Sequence, residues 1–161
     1  MAIDDGTCLV QSAIFEDMSD DTVTALCARG RTEPCEAGRV LFERGQDADE
    51  LMILQDGVVE LLFPVMILGV SREVTMETKQ PGAVVAWSSL VSPYHFTLSA
   101  RCGSDCTLVS FTRDVLYAFF EADPHTGYLF MRNLAGVIGR RLQAMQTIWM
   151  HDLQASAAKG L

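Results

Sequence analysis

Ala37-Gly38-Arg39-Val40-Leu41-Phe42-Glu43-Arg44-Gly45-Gln46-Asp47-Ala48, then Leu51-Met52-Ile53-Leu54-Gln55-Asp56-Gly57-Val58-Val59 and later Pro81-Gly82 set short apolar runs between glycines. Each run is too short for a useful helix, and Val-, Leu-, Ile- and Phe-rich segments broken at turn residues read as antiparallel strands joined by tight turns. The texture holds over residues 31–111, punctuated by Gly38, Gly45, Gly57, Gly69, Gly82 and Gly103. Strands are expected at 39–43, 51–54, 58–63, 74–78, 97–102 and 107–111, closing into a sandwich or barrel.

Helical signals flank this β region. Ser19 reads as an N-cap with Asp20 and Asp21 in the first turn, Met18 and Val23 as a hydrophobic staple, and Gly30 as a stop, which predicts one leading helix within 15–30. Thr112 caps a second helix over 112–122, with Val115, Leu116, Phe119 and Phe120 on one face. Asp123-Pro124 ends it and starts another, because Asp caps well and Pro is tolerated in a first turn. That third helix is expected over 124–153, with Leu134, Ile138, Leu142, Met145 and Trp149 recurring at three- and four-residue steps. At about 1.5 Å per residue it outruns a domain of this size, so its distal half calls for a second surface, and a homodimer through this helix is expected. Residues 154–161 read as a weakly structured tail. The fold class expected over 1–161 is therefore one mainly β domain with flanking α-helices.

At 161 residues and 17.7 kDa, with 49% apolar and 20% charged residues, the chain can bury a core without metal or disulfide staples. Its 21 acidic against 12 basic side chains leave a net charge of −9, which repels phosphate backbones and argues against direct nucleic-acid binding. The longest apolar stretch, residues 61–70, is interrupted by Pro64 and is about half of what a membrane helix needs, so no membrane partner is expected. MAIDDGTC has no positive n-region, and a cytoplasmic address follows as an expectation. Five cysteines (Cys8, Cys27, Cys35, Cys102 and Cys106) form no CxxC pair and read as thiols. Cys102 and Cys106 flank Gly103-Ser104-Asp105, an expected hairpin tip across which a redox bridge is conceivable; the spacings of Cys8, Cys27 and Cys35 do not suit an iron–sulfur cluster. His95, His125 and His151 are not at metal-ligand spacing, and neither a P-loop nor a nucleophile elbow is present. No enzyme activity, metal or cofactor is expected.

The glycine-and-strand run quoted above, led by a short helix and closed by two, resembles the cyclic-nucleotide-binding domain of the catabolite-activator and fumarate-nitrate regulators, also found in kinase regulatory subunits and channels. The resemblance covers about 85% of the chain and implies a double-stranded β-helix, or jelly-roll-like β-roll, in a short stand-alone form without a helix-turn-helix. In that family a cassette after the Pro-Gly turn carries a Gly-Glu pair, a short helix and an Arg. The Arg neutralises the cyclic phosphate, helix N–H groups cradle it, and the Glu takes the ribose hydroxyl.

Aligned from Pro81-Gly82, this chain has Ala86-Trp87 where Gly-Glu is expected and Tyr94 at or beside the Arg position, followed by His95. Residues 83–100 contain no Asp, Glu, Lys or Arg. Arg101 is the nearest arginine in sequence that could substitute, if the fold brings it inward. His95 is the one candidate axial ligand for a haem sensor within the cassette. The candidate ligand-binding set is Val85, Ala86, Trp87, Ser88, Ser89, Tyr94, His95 and Thr97, whose aromatic surface and hydroxyls suit a small molecule, nucleotide-like or other. Trp87 can equally fill the cavity itself. Three readings stay open: a non-enzymatic small-molecule sensor or regulatory module that does not bind cAMP or cGMP in the usual way; a ligand-free dimeric scaffold for a protein partner; and a relative of cyclic-nucleotide-responsive transcriptional regulators.

Overall fold

Leu51-Met52-Ile53-Leu54 is apolar at four successive positions, which a strand can satisfy only if both its faces are covered. The computed structural model, which describes residues 11–159, shows this arrangement. Strands β1 (Arg31–Cys35), β3 (Glu50–Asp56), β6 (Val84–Ala86) and β8 (Cys106–Thr112) form one antiparallel sheet in the order β1-β8-β3-β6. Strands β2 (Val40–Phe42), β4 (Val59–Ile67), β5 (Val70–Lys79) and β7 (Ser99–Cys102) form a second, β2-β7-β4-β5. Leu51 and Ile53 point away from the second sheet into a cluster with Phe111, Leu116, Phe130 and Leu134, whereas Leu54 joins Phe42, Leu61, Val85, Phe96 and Leu108 between the sheets. The result is a β-roll with helices on its outer face.

Those helices are α1 (Asp20–Cys27), α2 (Arg113–Ala122) and α3 (Pro124–Lys159), preceded by a 3-10 turn at Ala13–Phe15. The leading helix is thus shorter than the 15–30 span expected. Ser19 does cap it, accepting from the Thr22 N–H at 3.2 Å. It ends at Ala28, and Gly30 serves another purpose: a Cβ there would lie 2.8 Å from the Phe111 ring. Asn133 of α3, itself buried, donates from Nδ2 to the carbonyls of Ile14 and Glu16 at 3.0 and 2.8 Å and so pins the N-terminal turn to the long helix. Asn133→Ala should cost about 1–3 kcal/mol, because two acceptors lose their donor, and chemical denaturation would read it.

Strands β1 and β6 are absent from those expected, β5 runs over Val70–Lys79 rather than 74–78 and β7 starts at Ser99 rather than 97; two of the differences, at Pro64 and Pro34, share one reason. The strand expected over 58–63 runs on through Pro64 to Ile67, which is possible because β7 pairs with β4 only as far as Leu62. Beyond that point β4 meets β5 alone, and the missing Pro64 N–H leaves no partner wanting. Likewise β1, absent from the expected strands, tolerates Pro34 because it lies at a sheet edge. Another difference concerns Gly103-Ser104-Asp105, which is no hairpin tip: Cys102 closes β7 in one sheet and Cys106 opens β8 in the other. Cys27 packs against the helical cluster and Cys35 lies between the sheets, while Cys8 falls outside the described residues.

Thr112 caps α2, accepting from the Val115 N–H at 3.3 Å. Asp123 accepts from the Thr126 N–H and hydroxyl at 3.2 and 2.6 Å, and these hydrogen bonds hold its carboxyl below the usual range. The helix-supporting contribution of this cap is therefore present above the ordinary carboxylate range and is lost as pH falls through the depressed value. The stretch from 154 onward, expected as a weakly structured tail, continues as helix to Lys159. Among the described residues no helix is long and apolar enough to cross a membrane.

Candidate functional site

The segment after Pro81-Gly82 enters the roll as β6, where Ile53 and Met52 of β3 face Val84 and Ala86. Trp87 then starts a 3-10 turn, Ser88–Leu90, all of it buried. Five of the eight residues expected at the site converge. Val85, Ala86, Trp87, Ser88 and Thr97 line one cavity, and Phe42 and Phe96 stack within its wall at 3.9 Å. The cavity holds about 10 Å³, room for roughly one water.

Three expected residues lie elsewhere. Ser89 is fully buried with its hydroxyl unpartnered but does not line the cavity. Tyr94 is partly exposed, and the Arg113 guanidinium lies 4.2 Å from its ring centroid. His95 is half-exposed and pairs through Nδ1 with Asp47 Oδ1 at 2.9 Å, so it faces out of the roll rather than into it as a haem ligand would need. Arg101, the nearest arginine in sequence, is not brought inward either. It meets Glu60 of the neighbouring strand at 2.7 and 3.2 Å.

The arginine that does reach the cavity is Arg141, from α3. Its side chain is 13% exposed, its guanidinium lies 5.7 Å from the Trp87 ring centroid, and its carboxylate partner, Glu77 of β5, is 3.8 Å away. Among the described residues it makes no hydrogen bond, and burial lowers its proton affinity. The pair Arg140-Arg141 reads in sequence as a solvated face or a carboxylate partner. Arg140 is indeed exposed, but Arg141 follows Leu134 and Ile138 at steps of four and three, and that spacing puts it on the inward stripe. Arg113 is the other residue that sequence reasoning missed. Standing at the start of α2, it donates from Nε to the Ser89 carbonyl at 2.6 Å and from Nη2 to the Ala48 carbonyl at 2.8 Å, tying the 3-10 turn to the loop before β3. Nothing in its local sequence marks it.

The expected helix stripe divides as well. Leu134 is 1% exposed within the core, and Ile138 packs against that core, so neither is free for a partner. Met145 is half-buried, whereas Leu142 and Trp149 are exposed, together with Ile148, Met150 and Leu153.

A two-sheet antiparallel roll with a short leading helix, a closing helix pair and a buried 3-10 turn after β6 is the fold of a cyclic-nucleotide-binding-like regulatory domain. The sequence model described as the cyclic nucleotide-binding domain matches residues 32–123, and the chain belongs to this family. No curated protein matches it in sequence. Solved structures similar to it include a putative cyclic nucleotide-binding protein from Geobacter metallireducens GS-15, 27% identical with a TM-score of 0.68, covering 88% of this chain and 99% of that one. A cyclic nucleotide-binding domain from Methylobacillus flagellatus is 19% identical with a TM-score of 0.74, over 85% and 75% of the two chains. The catabolite activator protein of Thermus thermophilus is 23% identical with a TM-score of 0.73, over 86% of this chain and 62% of that one.

Proposed function

We propose that this chain is a non-enzymatic regulatory module, a cytoplasmic small-molecule sensor whose roll does not take cAMP or cGMP in the usual way. The observation that carries the reading is the cavity of about 10 Å³ beneath Trp87 and Arg141, too small for a ribose and a cyclic phosphate. The composition of the cassette agrees with it. By the family resemblance Ala86-Trp87 replaces Gly-Glu and Tyr94 replaces the Arg, and residues 83–100 offer no fixed charge. A buried phosphate deprived of its bidentate arginine loses roughly 3–5 kcal/mol, hundreds- to thousands-fold in affinity. Arg141 does not restore that contact, because it approaches from the helix and stacks on Trp87. In this reading it ties α3 to the roll, so that a ligand displacing Trp87 or Arg141 would move the helix.

A second reading, a ligand-free dimeric scaffold presenting α3 to a protein partner, is favoured by the Phe42–Phe96 stack that fills the interior. Calorimetric titration with cAMP and with cGMP tests what the two readings share. No saturable heat is expected where an ordinary site, with Kd of about 1 μM and about 8 kcal/mol, would saturate, and micromolar binding of either nucleotide overturns the proposal. Native mass spectrometry of freshly purified protein separates the two: a retained small molecule supports the sensor, and a bare chain supports the scaffold.

A further inference from the structure

Arg141 brings a charge to the roll that its neighbours do not use up. A guanidinium presents five N–H donors in a fixed fork, and donors taken out of water ordinarily find acceptors. The Arg141 side chain is 13% exposed, yet its nearest carboxylate oxygen, Glu77 Oε2, lies 3.8 Å from Nε, beyond hydrogen-bond range. The other oxygen of Glu77 accepts from Lys79 Nζ, and the Lys79 side chain is 14% exposed. Glu77 and Lys79 stand on β5 directly opposite Leu61 and Val59, which are buried between the sheets. Residues paired across two antiparallel strands share a face, so both charged groups turn toward the roll. Two cations against one carboxylate leave one net positive charge where α3 meets β5.

That excess borders the cavity. Arg141 is the one charged side chain in its wall among the described residues, together with the hydroxyl-bearing Ser88 and Thr97 and the rings of Phe42, Trp87 and Phe96. Ser88 is buried and Thr97 is exposed, so the cavity runs inward from the surface. Its volume of about 10 Å³ takes one small polar head, while the body of a ligand can lie outside over Thr97. The charge then selects the head. A cation would meet Arg141 with like sign, a neutral group would leave the net charge in place, and a dianion would add an unbalanced negative charge against aromatic walls. A carboxylate is singly charged, planar and shaped to accept two N–H bonds from one edge of a guanidinium.

We propose that Arg141 recognises a small monocarboxylate, whose head group enters the cavity beside Trp87 while its remainder lies at the exposed mouth. This rests on the sensor reading above and names the ligand class that reading leaves open. The carboxylate accepts from the guanidinium, and the Ser88 and Thr97 hydroxyls share the same wall to donate to it. With the ligand bound, Lys79, Glu77, Arg141 and the carboxylate sum to zero charge. Such a ligand needs neither of the cassette groups that this chain lacks. Because Arg141 belongs to α3 and Ser88 to the 3-10 turn, one small molecule bridges the long helix and the roll, and the Trp87 ring lies beside it.

Titration of the full chain with sodium acetate at constant ionic strength tests the proposal, in a Trp149→Phe background that leaves Trp87 as the only indole. Trp87 fluorescence should change saturably with a Kd of about 1 mM, the range open to so small a ligand. Acetamide, the neutral isostere, and chloride should not reproduce the change. Arg141→Gln should weaken it about tenfold or more, and Arg141→Lys should not restore it, because a point charge lacks the fork. Exchanging the exposed neighbour, Arg140→Gln, should leave it as it was. A flat acetate titration, an equal response to acetamide or chloride, or an undiminished response in a folded Arg141→Gln chain overturns the assignment. Should Arg141→Gln not fold, the acetamide and chloride arms on the parent still decide. A flat acetate titration beside a small molecule retained in native mass spectrometry removes the carboxylate alone and keeps the sensor; a chain that is bare and also ignores acetate removes both.

Discussion

Gly57→Ala is expected to remove most or all of the stability of this protein, and soluble expression followed by urea denaturation would show it. Gly57 sits between β3 and β4 at φ +89°, and a Cβ there would lie 2.2 Å from the Asp105 carbonyl oxygen and 2.9 Å from Cys106 Cα. Both are backbone atoms, one at the end of the β7–β8 connection and one in the first residue of β8, so relief would require the two turns to separate. Separation would in turn strain the Gly103 N–H bond to the Val58 carbonyl at 2.8 Å and the Val58 N–H bond to Ser104 Oγ at 3.0 Å. The loss should exceed about 4 kcal/mol, a large share of the 5–15 kcal/mol that a domain of this kind typically has. Gly69→Ala is the control. Gly69 has a similar φ of +80° but nothing within 4 Å of a Cβ, so only the left-handed backbone penalty of about 1–2 kcal/mol should appear. Equal losses at the two positions would show that backbone conformation, not the packing of turn against turn, governs Gly57.

That contrast also indicates why the roll is legible in the sequence. Glycine-containing breaks between short apolar runs place the turns, and the unbroken apolarity of residues 51–54 foretells a strand covered on both faces, here by the helices and the second sheet. Features set by neighbours distant in the chain are harder to read. β1, Arg-Thr-Glu-Pro-Cys, has no apolar alternation because it is an edge strand with four of its five residues outside the buried set. The far end of α3 is helical where a loose tail is expected because Ala155, Ala157 and Ala158 favour helix without needing to pack.

The candidate site was legible to a similar depth. Val85 to Ser88 and Thr97 line the cavity as the family resemblance after Pro81-Gly82 implies, although β6 is absent from the expected strands and Thr97 lies just before β7 rather than within it. Tyr94 and His95 do not, because Tyr94 adopts φ +62° and the chain there bonds back to the 46–48 loop, Ala48 N–H to the Tyr94 carbonyl at 2.8 Å. Such a reversal depends on a partner more than forty residues away. Arg141 could have been found by extending the helix stripe from apolar to amphipathic side chains, since an arginine can bury its stem and, as here, stack its head on an aromatic ring. Arg113 could not, because its role is defined only by the two carbonyls it meets.

The split along α3 makes a prediction that separates core from interface. Leu134→Ala is expected to destabilise the fold by about 2–5 kcal/mol, since Leu134 is 1% exposed amid Phe111, Leu116 and Phe130 and its truncation leaves a cavity that the surrounding sheet and helices cannot fully close. Leu142→Ala and Trp149→Ala remove side chains that are 53% and 59% exposed, and the intrinsic stability of the folded protomer should change by no more than about 0.5 kcal/mol. Their effect should fall on self-association. If α3 carries the homodimer expected from its sequence, light scattering at micromolar concentration gives a dimer mass for the parent chain and a shift toward monomer for the double variant, while Leu134→Ala lowers the urea midpoint. A monomeric parent chain removes the basis for the interface, and a dimer mass unaffected by both exposed-residue substitutions moves the interface off this stripe. A Leu134→Ala chain of unchanged midpoint would mean that the proximal helix is not seated on the roll, and with it would fall the seating of Arg141 over Trp87 two turns further along the same helix.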